Sequence, residues 1–172
     1  MISPAEMVNL HFRRMAVEDV EQVYAIDVLS FALPWSERSY RYEVTENETS
    51  RDWVAEASDA HGHTQIVAMI VVWVILDEAH VATIAVHPDF RGRGIGRQLL
   101  ATALLNAVDS GAVQSYLEVR RGNLAAQAIY REFGYEVVGV RKEYYSDNRE
   151  DALLMTLSPI QVDVLRKYAP AQ

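Results

Sequence analysis

One short segment, His80–Leu100, constrains the fold of this chain more than any other, because it combines a strand, a glycine-rich loop and a helix in immediate succession. An apolar, β-branched run over Val81–Val86 predicts the strand, and Pro88 lies in the turn that ends it. The glycines of the loop Arg91–Gly96 allow backbone N–H groups to crowd around an anion, and the helix dipole favours negative charge at that end. The segment therefore predicts a site for a phosphate-bearing cofactor.

The spacing of the glycines narrows the type of phosphate loop. A Walker A loop needs a Gly-Lys pair, and the chain has none. A Rossmann loop needs G-x-G-x-x-G, but Gly92, Gly94 and Gly96 are spaced by two. What remains is R-x-x-G-x-G, with three arginines in and beside the loop: Arg91, Arg93 and Arg97. A strand–turn–helix junction with incidental arginines is the alternative interpretation.

The composition excludes several classes of protein. At 172 residues, we expect a single domain over 1–172, with a core at about 10–157 and a C-terminal tail at 160–172. The net charge of −8 argues against direct nucleic-acid binding, which needs a basic surface. The chain has no cysteine, and its five histidines show no metal-binding spacing, so we expect no metal site. We also expect no membrane association and a cytoplasmic location, because there is no signal-peptide pattern and the longest apolar run, Ile66–Leu76, is too short to span a bilayer.

Hydrophobic periodicity and capping residues predict the element order β-α-α-β-β-β-α-β-α-β-β. The predicted strands are Leu10–Met15, Asp52–Ala57, Ile66–Leu76, His80–Val86, Gln114–Val119, Tyr135–Arg141 and Ala152–Leu157. The predicted helices are Glu18–Leu29, a helix capped by Ser36 that runs to about Glu46, Gly94–Ser110, and a helix capped by Asn123 that reaches Phe133. This order predicts an α/β fold, with a mixed sheet and helices on both of its faces.

A second group of polar residues follows the loop helix. Alternation along Gln114–Val119 places Glu118 on the face opposite its apolar neighbours, and an acid in a central strand must be paired or functional. On the next helix, Asn123, Gln127 and Tyr130 share one face, which we expect to look outward. An ion pair of Glu118 with Arg120 or another surface residue, and a packing role for Tyr130, are the structural alternatives.

Four motifs occur in a fixed order along the chain: FALPWSE, R-x-x-G-x-G, LEVR-x-x-N-x-x-A-x-x-x-Y and KEYYSDNREDALLM. Together they resemble the GCN5-related N-acetyltransferase (GNAT) superfamily, and within it the bacterial ribosomal-protein-alanine N-acetyltransferases (RimI type), over roughly Leu10 to Leu157. The resemblance implies the GNAT fold, with a mostly antiparallel seven-stranded sheet. It also implies acetyl-CoA as the cofactor and a protein N-terminus, such as that of a ribosomal protein, as the acceptor substrate.

The resemblance also implies roles for individual residues. Glu118 falls on the general base and Tyr130 on the general acid, whereas Asn123 falls near the pantetheine arm. The other expected cofactor-binding residues are Ile84, Ala85, Val86, Arg91, Gly92, Arg93, Gly94, Ile95, Gly96 and Arg97. The expected acceptor-binding residues are Phe31, Leu33, Pro34, Trp35, Tyr144 and Tyr145. One departure affects the acceptor site, since the family motif usually reads F-P-W-S and here Ala32 and Leu33 separate Phe31 from Pro34.

Three functions stay open at this point. A protein α-amine has a pKa of about 7.7–8.0 and a lysine side chain about 10.4, so N-terminal acceptors are easier to deprotonate near neutral pH. An acetyltransferase of a small amine or of lysine is the alternative within the enzyme class. A non-catalytic acyl-CoA-binding module is the alternative from another class, although a binder needs neither Glu118 nor Tyr130. We expect a monomer or a weak homodimer.

Overall fold

The computed structural model describes residues 1–170, and the last two positions of the predicted tail lie outside it. Seven strands form one mixed sheet in the order β1-β2-β3-β4-β5-β7-β6, in which only β4 and β5 pair in parallel. The strands are β1 Asn9–Arg14, β2 Trp53–Ser58, β3 Thr64–Ile75, β4 Glu78–Val86, β5 Gln114–Arg120, β6 Glu136–Tyr145 and β7 Glu150–Leu157. This architecture confirms the predicted α/β fold and its mostly antiparallel seven-stranded sheet.

Helices cover both faces of the sheet and bury two separate apolar clusters. The helices are α1 Val20–Ser30, α2 Glu37–Thr45, α3 Ile95–Asp109, α4 Leu124–Glu132 and α5 Val162–Tyr168. Residues of α1 and α2 pack on one face around Met69 and Val71, whereas α3, α4 and α5 pack on the other around Ile70 and Val72. Strand β3 is therefore buried on both faces, which explains its unbroken apolar sequence.

The predicted helix caps form where the sequence places them. The Ser36 side chain accepts a hydrogen bond from the backbone N–H of Ser39, and the Asn123 side chain accepts one from Ala126. The first helix begins later than predicted, at Val20, because the three residues before it form a short 3-10 turn.

Two boundaries of the predicted core and sheet are wrong. The tail after residue 157 is part of the core, because the α5 side chain of Leu165 is fully buried. The ring of Tyr168 also lies against Phe133, with 4.9 Å between the ring centroids. Strand β6 continues past Arg141 to Tyr145, which carries the end of the hairpin toward β5. Among residues 1–170, no helix combines the length and apolar character that a membrane crossing needs.

The parallel pair β4–β5 opens into a cleft. Cross-strand pairing runs only from Glu78, opposite Gln114, to Val81, opposite Leu117, and β4 then continues beside β3 alone. The register of β4 on β3 shifts at the same place, which leaves Ala82 unpaired as a bulge. Because the strands diverge beyond this point, backbone groups of β4 and side chains of β5 line the gap between them.

Candidate active site

The gap between β4 and β5 widens into a cavity with a volume of about 870 Å³. The glycine loop and the start of α3 close one end, and the segment between α1 and α2 closes the other. Glu118, Tyr130 and the backbone of Ile84–Val86 lie between these ends. Tertiary structure thus brings the four sequence motifs around one cavity, which we call the cleft.

The glycine loop has the backbone geometry of an anion site. Gly94 precedes α3 with φ of 77°, in the left-handed region that L side chains avoid. The first hydrogen bond of α3 runs from the N–H of Gln98 to the carbonyl of Gly94, so the N–H groups of Ile95, Gly96 and Arg97 have no partner within the helix. A Cβ on Gly96 would lie 3.4 Å from Val86 Cγ2, which shows how closely the helix start approaches β4.

The three arginines of the loop differ in their surroundings. Arg91 donates from Nε to the carbonyl of Val86 at 2.9 Å and from Nη2 to the hydroxyl of Ser30 at 3.1 Å. Arg97 forms a two-bond ion pair with Glu132, at 2.6 and 2.9 Å. Arg93 is exposed and does not line the cleft, so its contact with a cofactor stays a prediction.

The loop also contains a core residue. Ile95 is 2% exposed and its side chain belongs to the apolar cluster under α3, although it borders the cleft. The side chain at position 95 therefore fills the apolar core, whereas Gly92 and Gly94 provide the positive φ angles of the turn.

Glu118 lies on the cleft side of β5, as the alternation predicted. Its neighbours Leu117 and Val119 are buried, whereas its own side chain is 31% exposed. Glu118 Oε1 lies 3.1 Å from Arg141 Nη1 on β6. The carboxylate also accepts a hydrogen bond from the Tyr144 hydroxyl, and this interaction is the main reason why the pKa of Tyr144 is raised. The ion pair that sequence reasoning considered for Glu118 therefore exists, with Arg141 rather than Arg120.

The α4 face that carries Gln127 and Tyr130 points into the protein, so the prediction that it looks outward is wrong. Gln127 is 3% exposed, and its amide donates to the carbonyls of Arg120 and Arg121. Tyr130 is 7% exposed, and burial raises the pKa of its hydroxyl to about 12. Only Asn123, at the N-cap, is exposed, and it borders the cleft.

Four of the six predicted acceptor-binding residues line the cleft. They are Phe31, Leu33, Trp35 and Tyr145. Pro34 is exposed, and Tyr144 is 46% exposed on the hairpin beside Glu118; neither lines the cleft itself, and their contacts with an acceptor stay predictions.

Sequence reasoning gave no role in the site to two arginines that contact its side chains, Arg120 at Tyr145 and Arg141 at Glu118. The guanidinium of Arg120 lies 3.8 Å from the ring centroid of Tyr145 and bonds to Asp147 and Glu150 of the β6–β7 hairpin. Its position in the LEVR motif was an available signal. Arg141 carries no such signal, because it meets Glu118 only through the order β5-β7-β6, in which Leu154 of β7 lies between the two outer strands.

The fold and the cleft define a class of acyl-CoA-dependent acyltransferases. The free N–H groups and left-handed glycine at the start of α3 fit a pyrophosphate, and the unpaired β4 edge fits an extended amide-containing arm. A model described as the acetyltransferase (GNAT) family matches residues 20–135. The chain belongs to this family, and it is an N-acetyltransferase that uses acetyl-CoA.

Several relatives of this chain share one activity in their names. The chain is 33% identical over 141 residues to the Escherichia coli K12 ribosomal protein bS18-alanine N-acetyltransferase, covering 81% of this chain and 90% of that protein. A Bacillus subtilis protein, whose name assigns the same activity provisionally, is 37% identical over 143 residues, 83% of this chain and 91% of its own length. The crystal structure of the Escherichia coli enzyme superposes with a TM-score of 0.77 at 30% identity, covering 95% of this chain and 97% of that one.

Proposed function

We propose that the enzyme acetylates the N-terminal α-amine of a protein, with a ribosomal protein that begins with alanine as the first candidate. The names of the most similar relatives support this acceptor. The observation that carries the proposal is the cleft, which continues from the glycine loop, past Glu118, to a wall of apolar and aromatic side chains. An acceptor of this kind also implies that the enzyme acts in the cytoplasm, where ribosomal proteins are made.

Acetyl-CoA supplies an acetyl group that is already activated as a thioester. We assign its pyrophosphate to the free N–H groups at the start of α3, where the helix dipole adds to the attraction. The backbone of Ile84–Val86 is positioned to pair with the pantetheine arm, because β4 has left β5 at this level. Arg91 and Arg97 already have protein partners, so they add charge to the site from fixed positions.

Glu118 is the general base of the proposal. Its carboxylate borders the cleft at the level where β4 and β5 diverge, so an amine that enters from the apolar end passes it. About a tenth of α-amines are neutral near pH 7, and Glu118 takes, directly or through a water, the proton that the attacking nitrogen loses as the new bond forms. Arg141 holds the carboxylate in place before the amine arrives.

Tyr130 is the proposed hydrogen-bond donor to the sulfur of the leaving group. Its pKa of about 12 keeps the hydroxyl protonated at neutral pH, so it is always available as a donor. A thiol has a pKa of about 8.5, so complete transfer of the proton from such a phenol is unfavourable. We therefore assign Tyr130 the role of a hydrogen-bond donor that stabilises the leaving thiolate, with a smaller effect on turnover than Glu118.

The apolar end of the cleft favours a peptide over a free amine. Phe31, Leu33 and Trp35 form one wall, and Tyr145 forms the other under the guanidinium of Arg120. We expect these walls to favour a small first side chain, and the Tyr145 hydroxyl offers a peptide backbone a hydrogen bond that a free amine lacks.

Acetyl transfer to three matched acceptors tests the proposal. The acceptors are a peptide that begins with Ala, its N-terminally blocked twin with an internal lysine, and a polyamine, with products identified by mass spectrometry. The free N-terminus is expected to react fastest. Faster acetylation of the blocked peptide would assign the enzyme to lysine side chains, and faster acetylation of the polyamine would assign it to small amines.

A further inference from the structure

Asp27, near the end of α1, is a buried carboxylate at the apolar end of the cleft. It is 0% exposed, and burial raises its pKa. Its side-chain neighbour is the hydroxyl of Tyr40 on α2, and the pKa of that hydroxyl is raised by burial and by the charge and hydrogen bonding of Asp27. A buried carboxylate is costly unless its hydrogen bonds compensate for the lost water, so the partners of Asp27 point to a role other than packing.

The hydrogen bonds that Asp27 does make hold both ends of the acceptor wall. Its Oδ2 atom accepts from the backbone N–H of Trp35 at 2.6 Å, and its backbone carbonyl accepts from the N–H of Phe31 at 2.9 Å. Within the described residues, these are the two hydrogen bonds that the backbone of the segment Phe31–Trp35 makes to the rest of the protein. A single residue thus fixes a segment that otherwise lies exposed at the mouth of the cleft.

The bond to Trp35 also determines where that side chain packs. The Trp35 ring stacks on Trp73, with 6.2 Å between centroids and 23° between planes, and lies 5.5 Å from the ring of Tyr40. If the backbone of Trp35 moves, the wall loses its anchor in the apolar cluster under α1 and α2. The glycine loop is at the other end of the cleft and does not depend on this anchor.

We propose that Asp27 is a positioning residue for acceptor binding, which holds the Phe31–Trp35 wall through the Trp35 N–H. The proposal rests on the assignment of this wall to the acceptor. It separates two properties of the enzyme: Asp27 controls the KM for the acceptor, whereas the affinity for acetyl-CoA is independent of it.

Three substitutions at one position, with a control on the same helix, test this role. Asp27→Ala removes the acceptor of the Trp35 N–H and is expected to raise the KM for an Ala-initiated peptide about tenfold or more, with kcat and the acetyl-CoA Kd within about threefold of wild type. Asp27→Asn keeps an oxygen for the Trp35 N–H and should restore a near-normal KM. Asp27→Glu keeps the charge but displaces the carboxylate by one methylene group, so it should raise the KM. Glu21→Ala removes an exposed acid from α1 and should change nothing.

The outcomes separate this proposal from the proposed function. An unchanged peptide KM in Asp27→Ala overturns the role of Asp27, and so does an Asn variant as impaired as the Ala variant. If Asp27→Ala fails to fold, as shown by lost acetyl-CoA binding, the Glu variant decides, and a wild-type KM there overturns the role. If the wild-type enzyme prefers the polyamine, the proposed function fails, and the same comparison is made with the KM for that amine.

Discussion

The glycine loop offers a test in which two residues of the same conformation serve different purposes. Gly94 and Gly111 lie at the two ends of α3, with φ of 77° and 103°, and a Cβ on either would meet no atom closer than 3.9 Å. An L side chain in this conformation costs about 1–2 kcal/mol. For a chain of this size, that loss lowers the melting temperature by roughly 2–8 °C. Gly111→Ala is therefore expected to destabilise the protein by this amount, and Gly94→Ala by at most as much.

Only the substitution at Gly94 is expected to weaken cofactor binding. Any part of this strain that the free protein relieves by relaxing the loop has to be restored on binding, so that part appears as lost affinity instead of lost stability, and 1–2 kcal/mol corresponds to an affinity up to about 5- to 30-fold lower. Gly94→Val should lose more, because a branched side chain also occupies the space where the pyrophosphate is expected. Calorimetric titration with acetyl-CoA, together with thermal melting, measures both effects.

Two results would refute this reasoning. Unchanged acetyl-CoA affinity in Gly94→Val would remove the loop from the cofactor site. An equal loss of affinity in Gly94→Ala and Gly111→Ala would show that the effect comes from a weakened α3 helix rather than from the loop.

Three further predictions concern single side chains. Glu118→Gln should lower turnover by about 10²–10⁴-fold at neutral pH with unchanged acetyl-CoA affinity, and this loss of turnover should shrink at higher pH as the amine deprotonates itself. Arg141→Gln, which removes the ion pair but keeps the carboxylate, should lower turnover far less, and equal losses in the two variants would make Glu118 structural. Tyr130→Phe should lower kcat less than Glu118→Gln with little change in melting temperature, and an unfolded variant or one with full activity would leave Tyr130 as a packing residue. Burial raises the pKa of Asp52 to about 6 from about 3.9 in an unfolded chain, so the folded state holds an extra proton in this range and the contribution of Asp52 to stability falls as pH rises from about 4 to about 6. Asp52→Asn should remove that decline in melts from pH 4 to pH 7, and an identical decline in the variant would contradict the raised pKa.

Local sequence signals predicted the backbone of the site well. The β-branched run, the glycine spacing and the helix start that together form the cofactor loop lie within one stretch of chain, and the structure reproduces them. The cap at Asn123 and the alternation that exposes Glu118 are equally local. In each case a few neighbouring residues determine the dihedral angles or the side-chain direction, so no knowledge of the rest of the fold is needed.

The partners of the functional side chains depended on the tertiary structure. Glu118 meets Arg141 only because β7 lies between β5 and β6, and Arg97 meets Glu132 only because the start of α3 comes close to the end of α4. The helical wheel of α4 grouped its polar residues correctly but could not show that Tyr130 points inward. The composition of the tail likewise could not show that Leu165 completes the core.

Asp27 shows the same division most clearly. No sequence motif singles it out, yet the structure buries its carboxylate beneath the segment that ends at Trp35. Short-range patterns encode backbone conformation because sterics and hydrogen bonding act between near neighbours in the chain. Burial, pairing and charge environment arise from elements that are distant in sequence, so they become definite only once those elements pack together.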